Sequence, residues 1–387
     1  MQEAASTTSK YKHWRLEQDQ DGVAWLTLDK AEASVNSLSH ELMDELSAIV
    51  ESFERTPPRA IVVRSAKKGF IAGADIKEFL SIETADQAFE MIRAGQRIID
   101  RFAALPCPTV AAINGFALGG GLEVALACRY RVCADEPSVT LGFPEVQLGV
   151  HPGFGGTVRS VQLIGPLAAM DLMLTGRSVR PQQALKLGLV DRVVPREQLD
   201  AAAKALALQP PAQRGLSIKH RLINSAPARA LIAGQMRVKV AKRARPDHYP
   251  APYKMIELWQ RHGGRGEKAM EAEARSMAEL LVTPTSRNLV RVFFLQERLK
   301  SAGKHEGPPV EHVHVVGAGV MGGDIAAWCA ARGINVTLQD RSEEFVAPAL
   351  ARARSFFEKR YPDAVRRDAA IARLQGDVEG SGVAKAD

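Results

Sequence analysis

Asn114-Gly115-Phe116-Ala117-Leu118-Gly119-Gly120-Gly121-Leu122-Glu123 carries the decisive pattern of this chain. It follows a short apolar run, 109–113, that reads as a buried strand, and it leads into an apolar segment that reads as a helix opening at Leu122. Glycines at a helix start remove side chains, so a ligand can meet bare backbone N–H groups. Those donors, with the positive end of the helix, suit an oxygen that gains negative charge during a reaction. Glu123 stands just inside the same opening. A glycine triplet alone is weak evidence, so its surroundings decide the matter.

Three further segments belong with it: Gly69-Phe70-Ile71-Ala72-Gly73-Ala74-Asp75-Ile76, Gly142-Phe143-Pro144-Glu145, and the glycine-rich turn Leu148-Gly149-Val150-His151-Pro152-Gly153-Phe154-Gly155-Gly156-Thr157. Glu145 follows a Gly-Phe-Pro turn, which places it on a loop. Two carboxylates from separate elements can divide acid and base roles around one bound water. Asp75 reads as a residue that fixes its own loop through local hydrogen bonds. His151, a loop histidine before proline, reads as structural.

Around these segments strands and helices alternate. Residues 23–28 read as a strand, 39–55 as an amphipathic helix capped by Ser39 and ended by Pro57-Pro58, 60–63 as a strand apolar on both faces, and 87–105 as a helix. The alternation implies an α/β fold. From 198 to 304 the pattern is mostly helical, broken at 210–211 and 246–252, and 301–309 has the composition of a linker. A new strand, 312–316, starts a second domain, as a length of 387 residues leads one to expect.

Composition excludes several classes. No apolar run approaches the ~20 residues of a membrane span, and residues 1–10 lack the apolar core of a secretory signal, so cytoplasm is the expected location. Cys107, Cys128, Cys133 and Cys329 show no metal-site or redox spacing and read as free thiols. Between Lys204 and Lys304 there are 20 Lys+Arg against 7 Asp+Glu, an excess larger than the net +7 of the whole chain. Such a zone can attract an acidic partner or a polyanion, although solvated helix faces explain it equally. No aromatic interleaving or motif for nucleic acid accompanies it.

The four segments, in this order and spacing over residues 12–206, resemble the crotonase (enoyl-CoA hydratase/isomerase) superfamily. The resemblance implies a spiral of β-β-α units and a thioester carbonyl held by the backbone N–H groups of Ala74 and Gly120, with Ala72, Gly73, Asp75, Ile76 and Gly119 shaping the substrate loop. Hydratases of that family carry two glutamates, which fall here on Glu123 and Glu145. By resemblance Glu145 delivers a proton to C2 and Glu123 orients and deprotonates the water that adds to C3. Shuttling a proton between C4 and C2 at the same site would give 3-enoyl to 2-enoyl isomerisation. Hydration itself needs no cofactor; the substrate carries coenzyme A.

The second constellation is Gly317-Ala318-Gly319-Val320-Met321-Gly322, after strand 312–316 and before helix-forming 324–332. Strand 334–338 then ends at Asp340, 21 residues beyond Gly319. Strand, glycine loop, helix, strand and an acid near this offset form a dinucleotide-binding fingerprint, a partial Rossmann βαβ unit. Gly317, Gly319, Met321 and Gly322 would surround the pyrophosphate, and Asp340 would accept from a ribose 2′-hydroxyl, favouring NAD. The segment resembles the start of 3-hydroxyacyl-CoA dehydrogenase. Only 77 residues run from Glu311 to the end, about half a dinucleotide fold, and the last histidine is His314. The expectation is therefore a truncated module without dehydrogenase activity.

Hydratase-type domain (12–206), helical linker region packing on it (207–304), connector (305–310) and NAD-binding segment (311–387) together resemble the alpha subunits of fatty-acid oxidation complexes, bacterial and mitochondrial. That implies β-oxidation, an acyl-CoA substrate and a 3-ketoacyl-CoA thiolase beta subunit as partner. Three alternatives stay open: another crotonase-fold reaction such as thioester hydrolysis, a module that binds acyl-CoA or NAD without turnover, and a docking scaffold for thiolase.

Overall fold

The computed structural model describes residues 11–212, 215, 217–303 and 307–387. The polar segment 1–10 and His305-Glu306 of the expected connector lie outside the described residues. The chain divides into two compact units, Met1–Gln296 and Glu297–Asp387.

The first unit is organised by a six-stranded sheet whose strands lie in chain order: Trp14–Gln18, Val23–Leu28, Ala60–Ser65, Thr109–Ile113, Tyr130–Ala134 and Arg192–Val194. The first pair is antiparallel and every later pair parallel. Thr109–Ile113 and Tyr130–Ala134 are buried along their whole length, as strands covered on both faces must be. A second, three-stranded sheet pairs Ala117–Leu118 with Leu141–Gly142 and then Ser178–Val179. One turn therefore runs long strand Thr109–Ile113, short strand Ala117–Leu118, helix Gly120–Ala127. The next repeats it with Tyr130–Ala134 and Leu141–Gly142. This is the expected spiral of β-β-α units.

Helix His40–Arg55 buries Leu42, Met43, Leu46, Ile49, Val50 and Phe53, the stripe read from the sequence. Ser39 occupies its N-cap position with extended backbone, but its side chain makes no cap hydrogen bond, so that expectation holds for position and fails for chemistry. The glycine-triplet helix begins at Gly120, two residues before Leu122. Gly119 (φ +52°) ends the extended backbone abruptly, and a residue without Cβ can start the helix at once.

Of the helical region expected over 207–304, the described residues up to Gln296 pack as part of this unit, and those from Glu297 onward fall in the second. Helix Glu267–Leu281 lies along helix Ala85–Ala104, and Ile92, Val150, Ala274, Met277, Ala278 and Leu281 form a common apolar cluster. Lys239, Lys242 and Arg243 of the basic zone are exposed. All four cysteines are free, and Cys107, Cys128 and Cys133 are buried. Among the described residues no helix is long and apolar enough to cross a membrane.

The second unit is a parallel three-stranded sheet ordered His312–Val316, Asn335–Gln339, Leu374–Gly376. Helix Val320–Ala331 makes the crossover between the first two strands, and helices Glu343–Arg360 and Ala364–Arg373 lead to the third. The crossover helix starts four residues earlier than its apolar pattern suggested, because Gly319 serves as its N-cap. Ala326, Ala327, Ala330, Val336, Leu338, Val346 and Phe357 form its core.

Candidate active site and dinucleotide loop

Segment 70–75 is laid beside Asn36 and Leu38. The N–H of Ala72 donates to Asn36 O (2.8 Å), that of Leu38 to Gly73 O (2.8 Å), and that of Asp75 to Leu38 O (2.8 Å). Leu38 thus bonds to the residues flanking Ala74, and in a parallel bridge this turns the N–H of Ala74 to the opposite side. Gly120 lies there: a Cβ built on Gly120 would come within 3.5 Å of the Ala74 nitrogen, and one built on Gly73 (φ +107°) within 3.7 Å of the Gly120 nitrogen. The two N–H groups named from the sequence are neighbours.

They open onto a cavity of about 90 Å³ lined by Ala72, Gly73, Ala74, Ile76, Gly119 and Gly120 on one side and by both glutamates, Glu123 and Glu145, on another. The remaining wall is apolar, with Phe79, Met91, Ile92, Phe154 and Met277 prominent. Asp75 serves its own loop instead. Its carboxylate accepts from the N–H of Lys77 (3.2 Å) and pairs with the Lys30 ammonium (2.8 Å). Partial burial pushes the Asp75 carboxyl up, but the Lys30 and Lys77 contacts outweigh it and hold the group below the ordinary range.

Glu123, 2% exposed, reaches from its helix to the glycine-rich turn, where its Oε1 accepts from the N–H groups of Phe154 and Gly156 (2.7 Å each). Burial, then the neighbouring carboxylates of Glu273 and Glu145, push its proton affinity well above the usual value. Glu145 belongs to a short 3-10 helix, Pro144–Leu148, and not to an irregular loop. Although the residue as a whole is only partly buried, both carboxyl oxygens are buried and, among the described residues, have no hydrogen-bond partner. Burial pushes this carboxyl up to about 8. Gly119 makes room for it, since a Cβ there would lie 2.9 Å from Glu145 Oε1. A buried carboxyl with no donor to satisfy it is poised to hold a proton and to meet a polar ligand atom.

His151 is fully buried away from these groups. Its ring nitrogens contact Pro152 O (2.7 Å) and Ser276 Oγ (2.9 Å), and burial lowers it to about 4, so it stays neutral.

A third buried carboxylate escaped the sequence reading. Glu273, 0% exposed, projects from helix Glu267–Leu281 onto the turn that Glu123 grips. Its signal was available: Ala269, Met270, Ala274, Met277 and Ala278 place Glu273 on the apolar stripe of its helix, where a charge is anomalous.

In the second unit Gly317 adopts φ +100°, and a Cβ on Gly322 would sit 1.8 Å from Gly317 O, so loop and helix can close only over glycine. Nothing would touch a Cβ on Gly317 or Gly319, which leaves the loop's outer face open. Met321, 77% exposed, stands on the first turn of the helix. Asp340 Oδ2 accepts from the N–H of Ala318 (2.7 Å) and Oδ1 from that of Arg341 (2.7 Å), contacts that lower its carboxyl. Bare backbone at a helix N-terminus with an acid beside the loop fits the pyrophosphate and ribose of a dinucleotide.

Residues 18–219 match the family model described as enoyl-CoA hydratase/isomerase, and residues 312–387 match that of the 3-hydroxyacyl-CoA dehydrogenase NAD binding domain. Among solved structures, the chain is similar to human mitochondrial delta3-delta2-enoyl-CoA isomerase (26% identity, TM-score 0.55, covering 76% of this chain and 100% of that one). It is also similar in fold to an enoyl-CoA hydratase/isomerase from Xanthobacter autotrophicus Py2 (23%, TM-score 0.55, 76% and 96%). A third likeness in fold is an enoyl-CoA hydratase from Mycobacterium avium subsp. paratuberculosis K-10 (20%, TM-score 0.53, 74% and 97%).

Proposed function

This chain belongs to the enoyl-CoA hydratase/isomerase family, and on that premise we propose that its first unit adds water across 2-trans-enoyl-CoA to give (S)-3-hydroxyacyl-CoA. The observation that carries the proposal is Glu145: both its oxygens are buried and, among the described residues, unpartnered on the cavity that Glu123 also lines. The thioester oxygen accepts from the N–H groups of Ala74 and Gly120, which draws electron density from C3 onto that oxygen. Donors of this kind are worth about 3–4 kcal/mol each in the transition state. Of the two raised carboxyls Glu123 carries the charge, because the N–H groups of Phe154 and Gly156 favour its ionised form; it takes a proton from water as the water oxygen bonds to C3. Glu145, protonated at neutral pH, gives its proton to C2, and the double bond becomes single. Transfer of the Glu123 proton back to Glu145 through the product or solvent restores the starting state.

Loss of the conjugated enoyl-thioester absorbance with crotonyl-CoA tests this. Wild type turns over, and Glu123→Gln and Glu145→Gln each lose at least about 100-fold in kcat. A double variant as active as wild type refutes the assignment, and release of free CoA would show a thioesterase instead. The similarity to the human isomerase favours 3-enoyl to 2-enoyl isomerisation at the same site as a second activity.

The second unit we assign to NAD. NAD, when bound, supplies the hydride acceptor for oxidation of a 3-hydroxyacyl group; the Gly317–Gly322 loop would hold its pyrophosphate and Asp340 its ribose. The Asp340 carboxylate would repel a 2′-phosphate, which supports NAD over NADP. The pairing of the two family matches fits a multifunctional enzyme of fatty-acid oxidation, and we assign the chain to the alpha-subunit type, with a thiolase as partner.

A further inference from the structure

The turn between Gly153 and helix Gly156–Ile164 presents four successive backbone N–H groups, and two glutamates take them alternately. Glu123 Oε1 accepts from Phe154 and Gly156 (2.7 Å each). Glu273 Oε1 accepts from Gly155 (2.6 Å), and its Oε2 from the N–H of Thr157 (2.8 Å) and from the Thr157 hydroxyl. The amide nitrogen of Gln96 donates to Glu273 Oε1 (3.1 Å) and to the carbonyls of Gly153 (2.9 Å) and Met270 (3.0 Å), and Arg93 fixes the Gln96 oxygen (2.7 Å). A fully buried carboxylate needs such compensation, since an unpaired one costs several kcal/mol. Apolar residues at position 273 would close the same helix interface without it. The carboxylate therefore has a use other than packing, and its hydrogen bonds point to it: they hold the donors that alternate with those Glu123 accepts from.

We propose that Glu273 is a positioning residue for hydration, holding the Phe154–Thr157 turn so that Glu123 presents its free oxygen to water. This rests on the reading of Glu123 as the group that takes the water proton. The charged groups facing Glu273 are Glu123 and Glu145 from the catalytic segments and Arg159 from helix Gly156–Ile164. Arg159 donates to Phe154 O and pairs with Asp100, so the same turn is tied from its outer side as well. Burial raises the Glu273 carboxyl itself, against the hydrogen bonds of Thr157 and Gly155 and the charge of Arg159; when ionised, it favours the protonated forms of Glu123 and Glu145.

The test compares wild type, Glu273→Gln and the isosteric Thr157→Val on crotonyl-CoA between pH 5 and 10, with binding of the unreactive butyryl-CoA measured in parallel. Glu273→Gln keeps the shape but sets an amide N–H against the Thr157 N–H. The expected result is a kcat reduced about 10- to 100-fold, as for a misplacement on the order of 1 Å. KM and butyryl-CoA affinity stay within about two-fold. Both limbs of the pH profile move to lower pH, because a negative charge has left the neighbourhood of both carboxyls. Thr157→Val, which removes one of the four hydrogen bonds, loses about three- to ten-fold in kcat and keeps the assay decisive should Glu273→Gln fail to fold. Unchanged kcat in Thr157→Val, or losses matched by weaker butyryl-CoA binding, would overturn the role. An inactive wild type refutes the hydratase reading itself, and the role with it; an active wild type with indifferent variants refutes the role alone.

Discussion

Glu145→Gln is expected to make the first unit more stable at alkaline pH while destroying its activity. In the folded chain the Glu145 carboxyl is raised from 4.5 to about 8 by burial, and among the described residues neither oxygen has a partner. A group whose folded pKa lies above its unfolded one contributes its full share of stability below about 4.5 and loses it as pH rises through about 8. At about 1.4 kcal/mol per pH unit, that loss reaches about 5 kcal/mol above both values. Glutamine carries no charge to bury, but it brings two N–H donors into the same pocket, a penalty of about 1–3 kcal/mol. The variant should therefore exceed wild type by about 2–4 kcal/mol at pH 9 and fall below it by about 1–3 kcal/mol at pH 4, crossing in between. Urea unfolding followed by tryptophan fluorescence measures this, since Trp14, Trp25 and Trp259 belong to the first unit and only Trp328 to the second. A stability difference that does not change with pH, or a wild type that is the more stable at pH 9, refutes the account of Glu145 as a carboxyl kept neutral by burial.

Three shorter predictions accompany it. Since Glu145 must hold its proton to deliver one, kcat/KM for hydration should fall above about pH 8 in a stopped-flow pH series; a flat profile to pH 10 contradicts that role. Gly119→Ala puts a Cβ 2.9 Å from Glu145 Oε1 at φ +52°, so hydration should drop at least about 100-fold, with backbone strain of about 1–2 kcal/mol seen in the urea midpoint. Gly322→Ala drives a methyl into Gly317 O, and calorimetric titration with NAD should show binding weakened at least about 10-fold; unchanged affinity would mean that the loop and helix are not the binding element.

The fold was legible where local chemistry and tertiary packing agree. Leu42, Leu46, Ile49, Val50 and Phe53 fix one helix face whatever surrounds it, and the apolar runs 60–63 and 110–113 can be stable as strands only when covered on both sides. The pair of glutamates on the cavity was legible because glycines mark where backbone must approach backbone, and Glu123 and Glu145 stand next to those marks. Two-residue strands such as Leu141–Gly142 and Ser178–Val179 left no period to detect; only their pairing defines them. Glu145's 3-10 turn was hidden because Pro144 is compatible with a loop or a helix start. Glu273 was missed for another reason. Its helix shows the ordinary 3.6 period, and the contacts that give the carboxylate its meaning lie 116 to 118 positions back along the chain.

That separation governs when the machine comes into being. Every motif-bearing segment of the first unit has left the ribosome once Thr157 has emerged, yet the turn that Glu123 grips has only half its anchors until helix Glu267–Leu281 arrives more than a hundred residues later. Closing so long a loop is slow compared with forming the helices it joins. Catalytic competence should thus appear late and all at once during synthesis or refolding, well after the circular-dichroism signal of the spiral has recovered.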